Sequence, residues 1–301
     1  IKLVRKHKIN IIHARSRAPA WSSYWASKEL GIPFVTTFHG TYGTENFLKK
    51  KYNSVMLKGD AVIAISKFIK NHIETEYGYK KKIHVIPRGV NIEIFSPKSV
   101  STARLITLSS KIQVLDDEKV ILMPARLTSW KGHQFAIRAI SLIENKKFKL
   151  IIVGDTQNRK KYKRKLIKLA NELKVQGNIR FINHTRDMPA FLMHSDLVLS
   201  CSSKPEAFGR TVLEAQAMGR PVVAFNHGGS IELIKDNDSG VLTQVGNIEE
   251  LAKAITKVLS YDNLERKKIA ERSIENVKKK YLTEMMCLKT LNLYKSLLKK
   301  V

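Results

Sequence analysis

Two glutamates in one segment have the residue type and spacing that suit sugar recognition. Glu206 and Glu214 are separated by seven residues, in a stretch that follows an apolar run and opens a helical pattern. A carboxylate accepts two hydrogen bonds and so matches the vicinal hydroxyls of a sugar or a ribose. Gly209 lets backbone approach a ligand closely, and the free N–H groups of a helix start favour a phosphate. We therefore predict that the two carboxylates bind different parts of one extended ligand, the alternative being two ordinary surface glutamates.

Arg126 and Lys131 form a second pair of candidate site residues. They follow residues 120–124, an apolar run predicted as a buried strand, and ligands of open α/β sheets bind at the carboxyl ends of strands. Fixed cations at that point suit an anionic ligand, and they stabilise a transition state in which negative charge develops there. The alternative for an arginine and a lysine in so basic a chain is a solvated surface.

Two histidines and a cysteine also follow predicted strands. His39 comes directly after the apolar residues 33–38, and His13 lies in a segment with Arg15 and Arg17 that could hold an anionic ligand or form plain surface. A lone histidine is as easily structural as functional. Cys201 has no base near it in the sequence, so we expect a buried structural thiol.

The composition is that of a globular chain with an excess of positive charge. The 301 residues include 54 Lys and Arg against 26 Asp and Glu, a net charge of +28. Lysine dominates the excess, whereas nucleic-acid recognition favours arginine and interleaved aromatics, so compositional bias and an anionic membrane or lipid rank above nucleic acid. Clusters at residues 49–51 and 80–82 carry part of this charge. Two cysteines are too few for a disulfide framework and suggest a reducing compartment.

Short apolar strands alternate with amphipathic helical stretches along the chain. This alternation predicts βαβ units and parallel sheets. It breaks near Ser96-Pro97 and resumes near residue 118. We predict a fold of two Rossmann-like, doubly wound α/β domains with a ligand cleft: residues 1–96 as the first domain, 97–117 as a connecting segment, 118–280 as the second domain, and 281–301 as a final helix that returns to the first.

Five segments, in order, carry a resemblance to a known family. Glu206 to Glu214 resembles the E-x7-E segment of the family 4 glycosyltransferases, which are retaining enzymes of the GT-B fold. The other four segments are Val85-Ile86-Pro87-Arg88-Gly89-Val90-Asn91, Ala125-Arg126-Leu127 with Lys131-Gly132, Leu150-Ile151-Ile152-Val153-Gly154-Asp155, and Gly228-Gly229 with Glu232. The resemblance extends over about residues 10–260. Relatives begin with a strand and a Gly-rich turn that precede the first residue here, so we expect the first domain to lack its N-terminal part.

The resemblance implies a role for each matched residue. The catalytic set is His39, Arg126, Lys131 and Glu206, with the cations at the diphosphate and His39 near the reacting sugar. The donor-binding set is Arg126, Lys131, Gly154, Glu206, Phe208, Gly209, Val212, Leu213 and Glu214. The family uses the basic pair in place of a metal, so no metal and no other cofactor is expected, and the leaving phosphate takes the acceptor proton during same-face attack.

The function implied is transfer of a hexosyl group from a nucleotide-sugar to a glycan or lipid-linked acceptor, with retention of the anomeric configuration. The motifs resemble bacterial enzymes of cell-envelope or lipopolysaccharide synthesis. This resemblance implies a cytoplasmic protein that can bind peripherally to the inner face of the membrane, and no nucleic-acid partner. Two alternatives stay open: an inactive nucleotide-sugar-binding remnant of such an enzyme, and a basic nucleic-acid-binding protein.

Overall fold

The computed structural model describes residues 1–115, 117–157, 159–235 and 237–299. The chain divides into two compact units. The first contains Ile1–Gly89 together with the residues from Tyr281 onward, and the second contains Val90–Lys280. Both units are built on parallel sheets, so the predicted fold class, two parallel-sheet α/β domains, is confirmed.

The first unit is a four-stranded parallel sheet in the order β1-β2-β3-β4. Its strands are β1 (Ile12–Ala14), β2 (Phe34–Phe38), β3 (Ala61–Ala64) and β4 (Ile83–Val85). Its first helices are α1 (Lys2–Lys6), α2 (Arg17–Leu30), α3 (Phe47–Asn53), which continues into a 3-10 turn at Ser54–Leu57, and α4 (Lys67–Tyr77).

Local signals set the ends of these helices. The Ser66 hydroxyl accepts a hydrogen bond from the Ile69 amide at 3.0 Å and so caps the start of α4. Gly31 ends α2 and Gly78 ends α4, both in the left-handed conformation that glycine adopts at low cost. These signals are readable in the sequence, and the predicted elements in this part of the chain lie within a few residues of the observed ones.

A helix from the far end of the chain covers one face of the first sheet. This helix, Thr283–Leu298, is the last of the chain, and Leu293 on it packs with Val35, Ile63 and Ile86 from the strands. The helix begins where it passes Gly89, whose added Cβ would lie 2.5 Å from the Thr283 backbone. Residues 281–299 thus belong to the first unit.

The second unit is a six-stranded parallel sheet. Its strands are β5 (Lys119–Pro124), β6 (Phe148–Val153), β7 (Ile179–Ile182), β8 (Leu197–Ser200), β9 (Val222–Phe225) and β10 (Val241–Thr243), in the order β10-β9-β8-β5-β6-β7. The chain runs outward from β5 in one direction through β6 and β7, and in the other through β8, β9 and β10. The order therefore reverses between β5 and β8, and in open α/β sheets ligands bind at such a reversal, beyond the carboxyl ends of the strands.

Helices cover both faces of this sheet. They are α5 (Thr102–Ile112), α6 (His133–Ser141), α7 (Lys160–Glu172), α8 (Met188–His194), α9 (Arg210–Ala217), α10 (Ile248–Leu259) and α11 (Asn263–Lys280), and the final helix of the first unit is α12. The core is continuous from the strands to α6 and α10, with Ile121, Ile137 and Ile255 fully buried. A close-packed core of this kind holds the ends of the strands, and so the starts of the loops that follow them, in fixed positions.

The segment predicted as a connector, 97–117, lies within the second unit. Its helix α5 buries Leu108 and Ile112, and the Arg104 guanidinium pairs with the Asp187 carboxylate at the start of α8. The second unit thus begins at Val90 rather than at 118.

Three further differences concern the elements themselves. The sequence pattern predicts one helical tail from residue 248 to the end, whereas the structure has three separate helices there, α10, α11 and α12. The short strand β10 and the one-turn helix α1 were not predicted, because three to five residues carry too little periodicity to identify. The predicted start of the basic helix at Asn158 and the final two residues of the predicted 281–301 helix lie outside the described residues. No helix in the described ranges is long and apolar enough to cross a bilayer.

Candidate functional site

The loops after β5 and β8 are joined directly to each other. The Ser203 amide donates to the Trp130 carbonyl at 2.7 Å, and the Ser203 hydroxyl contacts the same carbonyl at 3.2 Å. Gly132 has a φ of +78°, and a Cβ there would lie 1.7 Å from the Cys201 carbonyl oxygen. Only glycine permits this approach. The loops that follow β5 and β8, the two strands at which the sheet order reverses, therefore form one shared site.

Lys131 and Glu206 meet at the centre of this junction. The Lys131 Nζ lies 2.6 Å from Glu206 Oε1, and both side chains are mostly shielded from solvent, with 14% and 17% exposed. The Ser202 hydroxyl donates to the same oxygen at 2.5 Å. The Lys131 ammonium also lies 4.4 Å from the centre of the Trp130 ring. Both hydrogen bonds end on Oε1, so Oε2 of Glu206 remains to accept from a ligand.

The loop after β9 supports the Glu206 segment from behind. His227 Nε2 lies 2.7 Å from the Ser202 carbonyl oxygen, and the Gly229 amide donates to the Glu206 carbonyl at 2.7 Å. A Cβ on Gly228 would lie 2.7 Å from the Glu206 backbone. The Gly228-Gly229 segment identified in the sequence thus lets one loop lie flat against another and fixes the backbone that carries Glu206.

Arg126 and Gly154 lie at the ends of β5 and β6. The Leu127 amide donates to the Asp155 carbonyl at 3.0 Å, and an added Cβ on Gly154 would lie 2.1 Å from the Ala125 carbonyl oxygen. The Arg126 side chain is exposed. Close backbone contact therefore requires glycine at position 154 and holds the Arg126 loop in place.

These residues line one cavity of about 610 Å³ in the second unit. The predicted residues on its wall are Arg126, Lys131, Gly154, Glu206 and Glu214. Further polar residues on the wall, to which the sequence analysis assigns no role, are Asp155, Gln157, His184, Thr185, Arg210 and Thr211. The volume suits a ligand of nucleotide size, and the wall carries cations and carboxylates together.

Glu214 lines this cavity from within α9. The Arg210 guanidinium, one helical turn earlier, lies 2.9 Å from Glu214 Oε1. The Glu214 side chain is only 16% exposed whereas that of Arg210 is 68% exposed. Burial raises the pKa of Glu214, and the nearby Arg210 opposes that rise. A largely buried carboxylate with one oxygen paired to an exposed arginine can accept a hydroxyl pair from a ligand.

Three predicted donor-binding residues have side chains in the core. Phe208, Val212 and Leu213 are buried around the start of α9 and do not line the cavity. Gly209 precedes this helix with a φ of +92°, and a Cβ there would lie 2.6 Å from the Ser230 hydroxyl. The structure thus leaves the backbone of this turn, rather than the side chains, as the part that a ligand could contact.

One residue that sequence reasoning missed is His133 at the start of α6. Its ring is fully buried, with Nε2 3.4 Å from the Ala125 carbonyl oxygen and Nδ1 3.4 Å from the Tyr162 hydroxyl. Burial, assisted by the Lys131 charge, lowers the pKa of His133 to about 4. The neutral ring therefore braces the loop that carries Arg126. Its place directly after Lys131-Gly132 was the available signal.

His39 belongs to the first unit, where it helps to line a separate cavity of about 270 Å³. His13 lines the same cavity, with Nε2 2.7 Å from the Thr37 hydroxyl and Nδ1 2.5 Å from the Tyr294 hydroxyl. Burial, together with nearby positive charge, lowers the pKa values of His13 and His39 to about 4. Both rings are therefore neutral at pH 7. Cys201 is buried as predicted, and burial raises its pKa to about 12.

The described residues contain no group of three or more His, Cys, Asp or Glu side chains placed to hold a metal ion. Three positively charged side chains line the 610 Å³ cavity of the second unit: Arg126, Lys131 and Arg210. They are the groups available in this chain to meet a ligand's negative charge.

Two family models match the chain and together cover most of it. The model for glycosyl transferases group 1 matches residues 107–280, and the model for glycosyltransferase family 4 matches residues 1–94. An uncharacterized glycosyltransferase of Methanocaldococcus jannaschii is 32% identical over 78% of the chain. The chain spans 59% of the length of that relative.

Solved structures agree in fold. A glycosyltransferase from Rickettsia africae is 39% identical, with a TM-score of 0.94 over 100% of this chain and 80% of its own. Anabaena Alr3699/HepE, solved with UDP and glucose, has a TM-score of 0.88 at 24% identity over 98% of this chain and 80% of its own. The architecture is thus that of GT-B glycosyltransferases. With more than half of its residues matched by the group 1 model, this chain belongs to the glycosyl transferases group 1 family.

Proposed function

We propose that this protein transfers a glycosyl group from a nucleotide-sugar to a hydroxyl of a glycan or lipid-linked acceptor, with retention at the anomeric carbon. The observation that carries the proposal is the contact of Lys131 with Glu206 in the cavity that Arg126 and Glu214 also line. This cavity combines cations for a diphosphate with carboxylates for sugar hydroxyls. The resemblance of the motifs to retaining enzymes supports the stereochemical part.

Arg126 and Lys131 are assigned to the donor diphosphate. The Lys131 ammonium is held by Glu206 and by the Trp130 ring, so its position is set before a ligand arrives. A preorganised cation stabilises charge that develops on the leaving phosphate without the cost of moving a side chain. The exposed Arg126 can close on the same phosphates from the end of β5.

Glu206 and Glu214 are assigned to the two ends of the donor. Glu206 lines the cavity beside Lys131, and its Oε2 would accept from sugar hydroxyls near the reacting carbon. Glu214 lies on α9 and would accept from the two ribose hydroxyls. The two glutamates are thus assigned to separate groups of one ligand.

His39 is assigned to the sugar side of the reaction, following the resemblance. Its neutral ring can donate or accept a hydrogen bond without adding charge to the site. The proposed reaction is same-face attack by the acceptor hydroxyl, whose proton passes to the leaving phosphate. The C–O bond to the phosphate breaks as the new glycosidic bond forms, so atoms and charge balance between donor and acceptor.

We propose that the reaction needs neither a metal nor another cofactor. Arg126 and Lys131 supply positive charge where many glycosyltransferases use a divalent ion. A UDP-sugar donor is the first candidate, because the fold neighbour Anabaena HepE has been solved with UDP-glucose. No nucleic-acid partner is proposed.

We also propose that the protein works in the cytoplasm, in peripheral contact with the inner face of an anionic membrane, on an acceptor of cell-envelope or lipopolysaccharide synthesis. The support is the short helix α3, which presents Lys49, Lys50 and Lys51 to solvent beside Phe47 and Leu48. Phe47 is 77% exposed and Leu48 is 71% exposed. Basic and apolar side chains on one short helix suit the boundary between lipid headgroups and acyl chains.

The test is a panel of nucleotide-sugars screened for thermal stabilisation and then for turnover. We expect one nucleotide-sugar to raise the melting temperature selectively, and proton NMR of the first product to show the anomer of the donor. Turnover in the presence of EDTA checks metal independence. Selective stabilisation without turnover would identify a binding remnant, and an inverted product would overturn the retaining assignment.

A further inference from the structure

The cavity in the first unit lies where the carboxyl ends of all four strands meet. Arg15 follows β1, His39 follows β2 and Ile65 follows β3, each directly, and Arg88 is the third residue after β4. All four line the cavity. The opposite wall is the last helix, α12. The cavity is therefore formed by the sheet edge and a helix from the far end of the chain.

The cavity has an apolar floor and a basic rim. Ile63, Ile65 and Ile86 are buried at its base, and Met286 and Leu291 extend this apolar surface from α12. Arg15 and Arg88 supply positive charge at the rim. Among the described residues, no aspartate or glutamate lines the cavity. An opening with apolar walls and positive charge suits a ligand that is negatively charged at one end and apolar at the other.

The histidines indicate that this positive charge is felt inside the cavity. Arg88 and Arg15 both oppose protonation of His39, after burial, which is the larger cause of its low pKa. The His13 ring is held on both sides by the Thr37 and Tyr294 hydroxyls. His13 therefore forms a fixed neutral wall, and the neutral His39 ring is left to make a hydrogen bond to a ligand.

We infer that this cavity is an acceptor subsite that selects a molecule with a phosphate or carboxylate beside an apolar part, with Arg15 and Arg88 on the anion and the isoleucine floor under the apolar part. The inference that the bound molecule is the acceptor rests on the proposed glycosyltransferase function. The binding chemistry itself depends only on the first unit.

Cys287 supplies a local readout of this cavity. It is exposed and lines the cavity from α12, whereas Cys201 lies buried in the second unit with its pKa raised to about 12. A maleimide should therefore modify Cys287 alone, and a ligand in the cavity should slow the modification. Cys287→Ser confirms the labelled position. Excess UDP is present throughout to occupy the cavity of the second unit, so that the phosphate probes do not change the rate of modification by binding there.

The probes are hexyl phosphate, glucose 6-phosphate and hexanol. We expect hexyl phosphate to slow Cys287 modification at least ten-fold at saturation, glucose 6-phosphate to protect more weakly, and hexanol to protect least. Arg15→Gln and Arg88→Gln should each raise the half-protecting concentration about ten-fold, the loss expected for one charge-assisted hydrogen bond. Arg5→Gln is the matched control, since Arg5 lies 4.0 Å from Glu29 on the surface of the same unit.

Two results would overturn the inference. Equal protection by hexanol and hexyl phosphate, or protection that both arginine variants retain, would mean that the rim does not recognise an anion. Glucose 6-phosphate as effective as hexyl phosphate would remove the apolar requirement. Arg15 is exposed, so Arg15→Gln tests the point even if Arg88→Gln does not fold. Failure of nucleotide-sugar binding, measured separately, would count against the proposed function and leave this result standing.

Discussion

The Nζ of Lys131 lies 2.6 Å from Oε1 of Glu206, although 75 residues separate them in the chain. Each follows a different strand of the pair at which the second sheet reverses its order, β5 and β8. The contact has a functional consequence. In the proposed function, Glu206 holds the Lys131 ammonium ready for a phosphate, and Lys131 holds the Glu206 carboxylate in place on the cavity wall.

Replacement of either cation should lower catalysis. We expect Lys131→Ala and Arg126→Ala each to lose at least ~2 kcal/mol of transition-state stabilisation, a drop of about 30-fold in kcat/KM, because each removes a charge aimed at the leaving phosphate. Steady-state kinetics with the donor found in the screen measures this. The control is Lys168→Ala, an exposed lysine on α7. Activity that needs Mg²⁺ and survives both substitutions would contradict the assignment.

Replacement of Glu206 and replacement of Glu214 should have different effects on ligand binding and turnover. Glu214→Gln should weaken binding of both the nucleotide-sugar and the free nucleoside diphosphate, because both contain the ribose. Glu206→Gln should leave affinity for the diphosphate nearly unchanged while it lowers turnover, because its contact is with the reacting sugar. Calorimetry of both variants with both ligands separates the effects. Equal weakening of the bare diphosphate by both variants would mean that the pair acts together on the nucleotide.

The basic clusters of the first unit should bind anionic lipid. We expect sedimentation with vesicles containing phosphatidylglycerol, but not with neutral vesicles, and loss of binding at high salt, because each lysine near the surface contributes about 1 kcal/mol. Neutralising Lys49, Lys50 and Lys51, or the exposed lysines 80–82, should weaken it.

The matched control for these lysine variants lies in the second unit. Alanines at the exposed lysines 278–280 change the net charge equally and should leave vesicle binding intact. Phe47→Ser with Leu48→Ser should weaken binding without any change of charge. An equal loss of vesicle binding in the 278–280 variant would mean that binding depends on net charge alone and not on the basic clusters of the first unit.

His133 should make stability depend on pH. Its pKa is about 4 in the folded protein against 6.5 when free, so the unfolded state takes up the proton first as pH falls. The stability that the neutral ring provides is complete above pH 6.5 and is lost between pH 6.5 and 4, by up to ~3 kcal/mol. Urea denaturation at both pH values should show a smaller loss in His133→Gln than in wild type. His7→Gln, at an exposed position, should behave as wild type.

Gly132 should tolerate no side chain. Gly132→Ala places a Cβ 1.7 Å from the Cys201 carbonyl oxygen at a φ of +78°, and we expect a loss of more than ~3 kcal/mol in the free energy of unfolding. Gly31→Ala shares the positive φ, +65°, but meets nothing within 4 Å. It should lose only ~1 kcal/mol, the backbone cost alone. Similar losses in the two variants would show that the β5 and β8 loops can separate.

Several features were predictable because their causes are local. The sequence predicts a helix over Met188–His194, the bounds that α8 has, and it predicts Ser66 as the cap of α4, since caps and periodicity act over a few residues. The class of fold follows from the alternation of strands and helices. The motif around Glu206 and Glu214 predicts sugar chemistry through its residue types and its resemblance to a family segment, and that part stays a prediction.

The tertiary structure decided which of these residues meet. Sheet order is a long-range property, so nothing local indicates that β5 pairs with β8 or that Lys131 contacts Glu206. The same holds for α12, whose return to the first sheet builds the wall of the Arg15 and Arg88 cavity. The sequence by itself determined the elements and the chemical groups, because these depend on neighbours along the chain. Packing between distant segments determined the site, because burial of apolar faces sets which strand ends lie side by side.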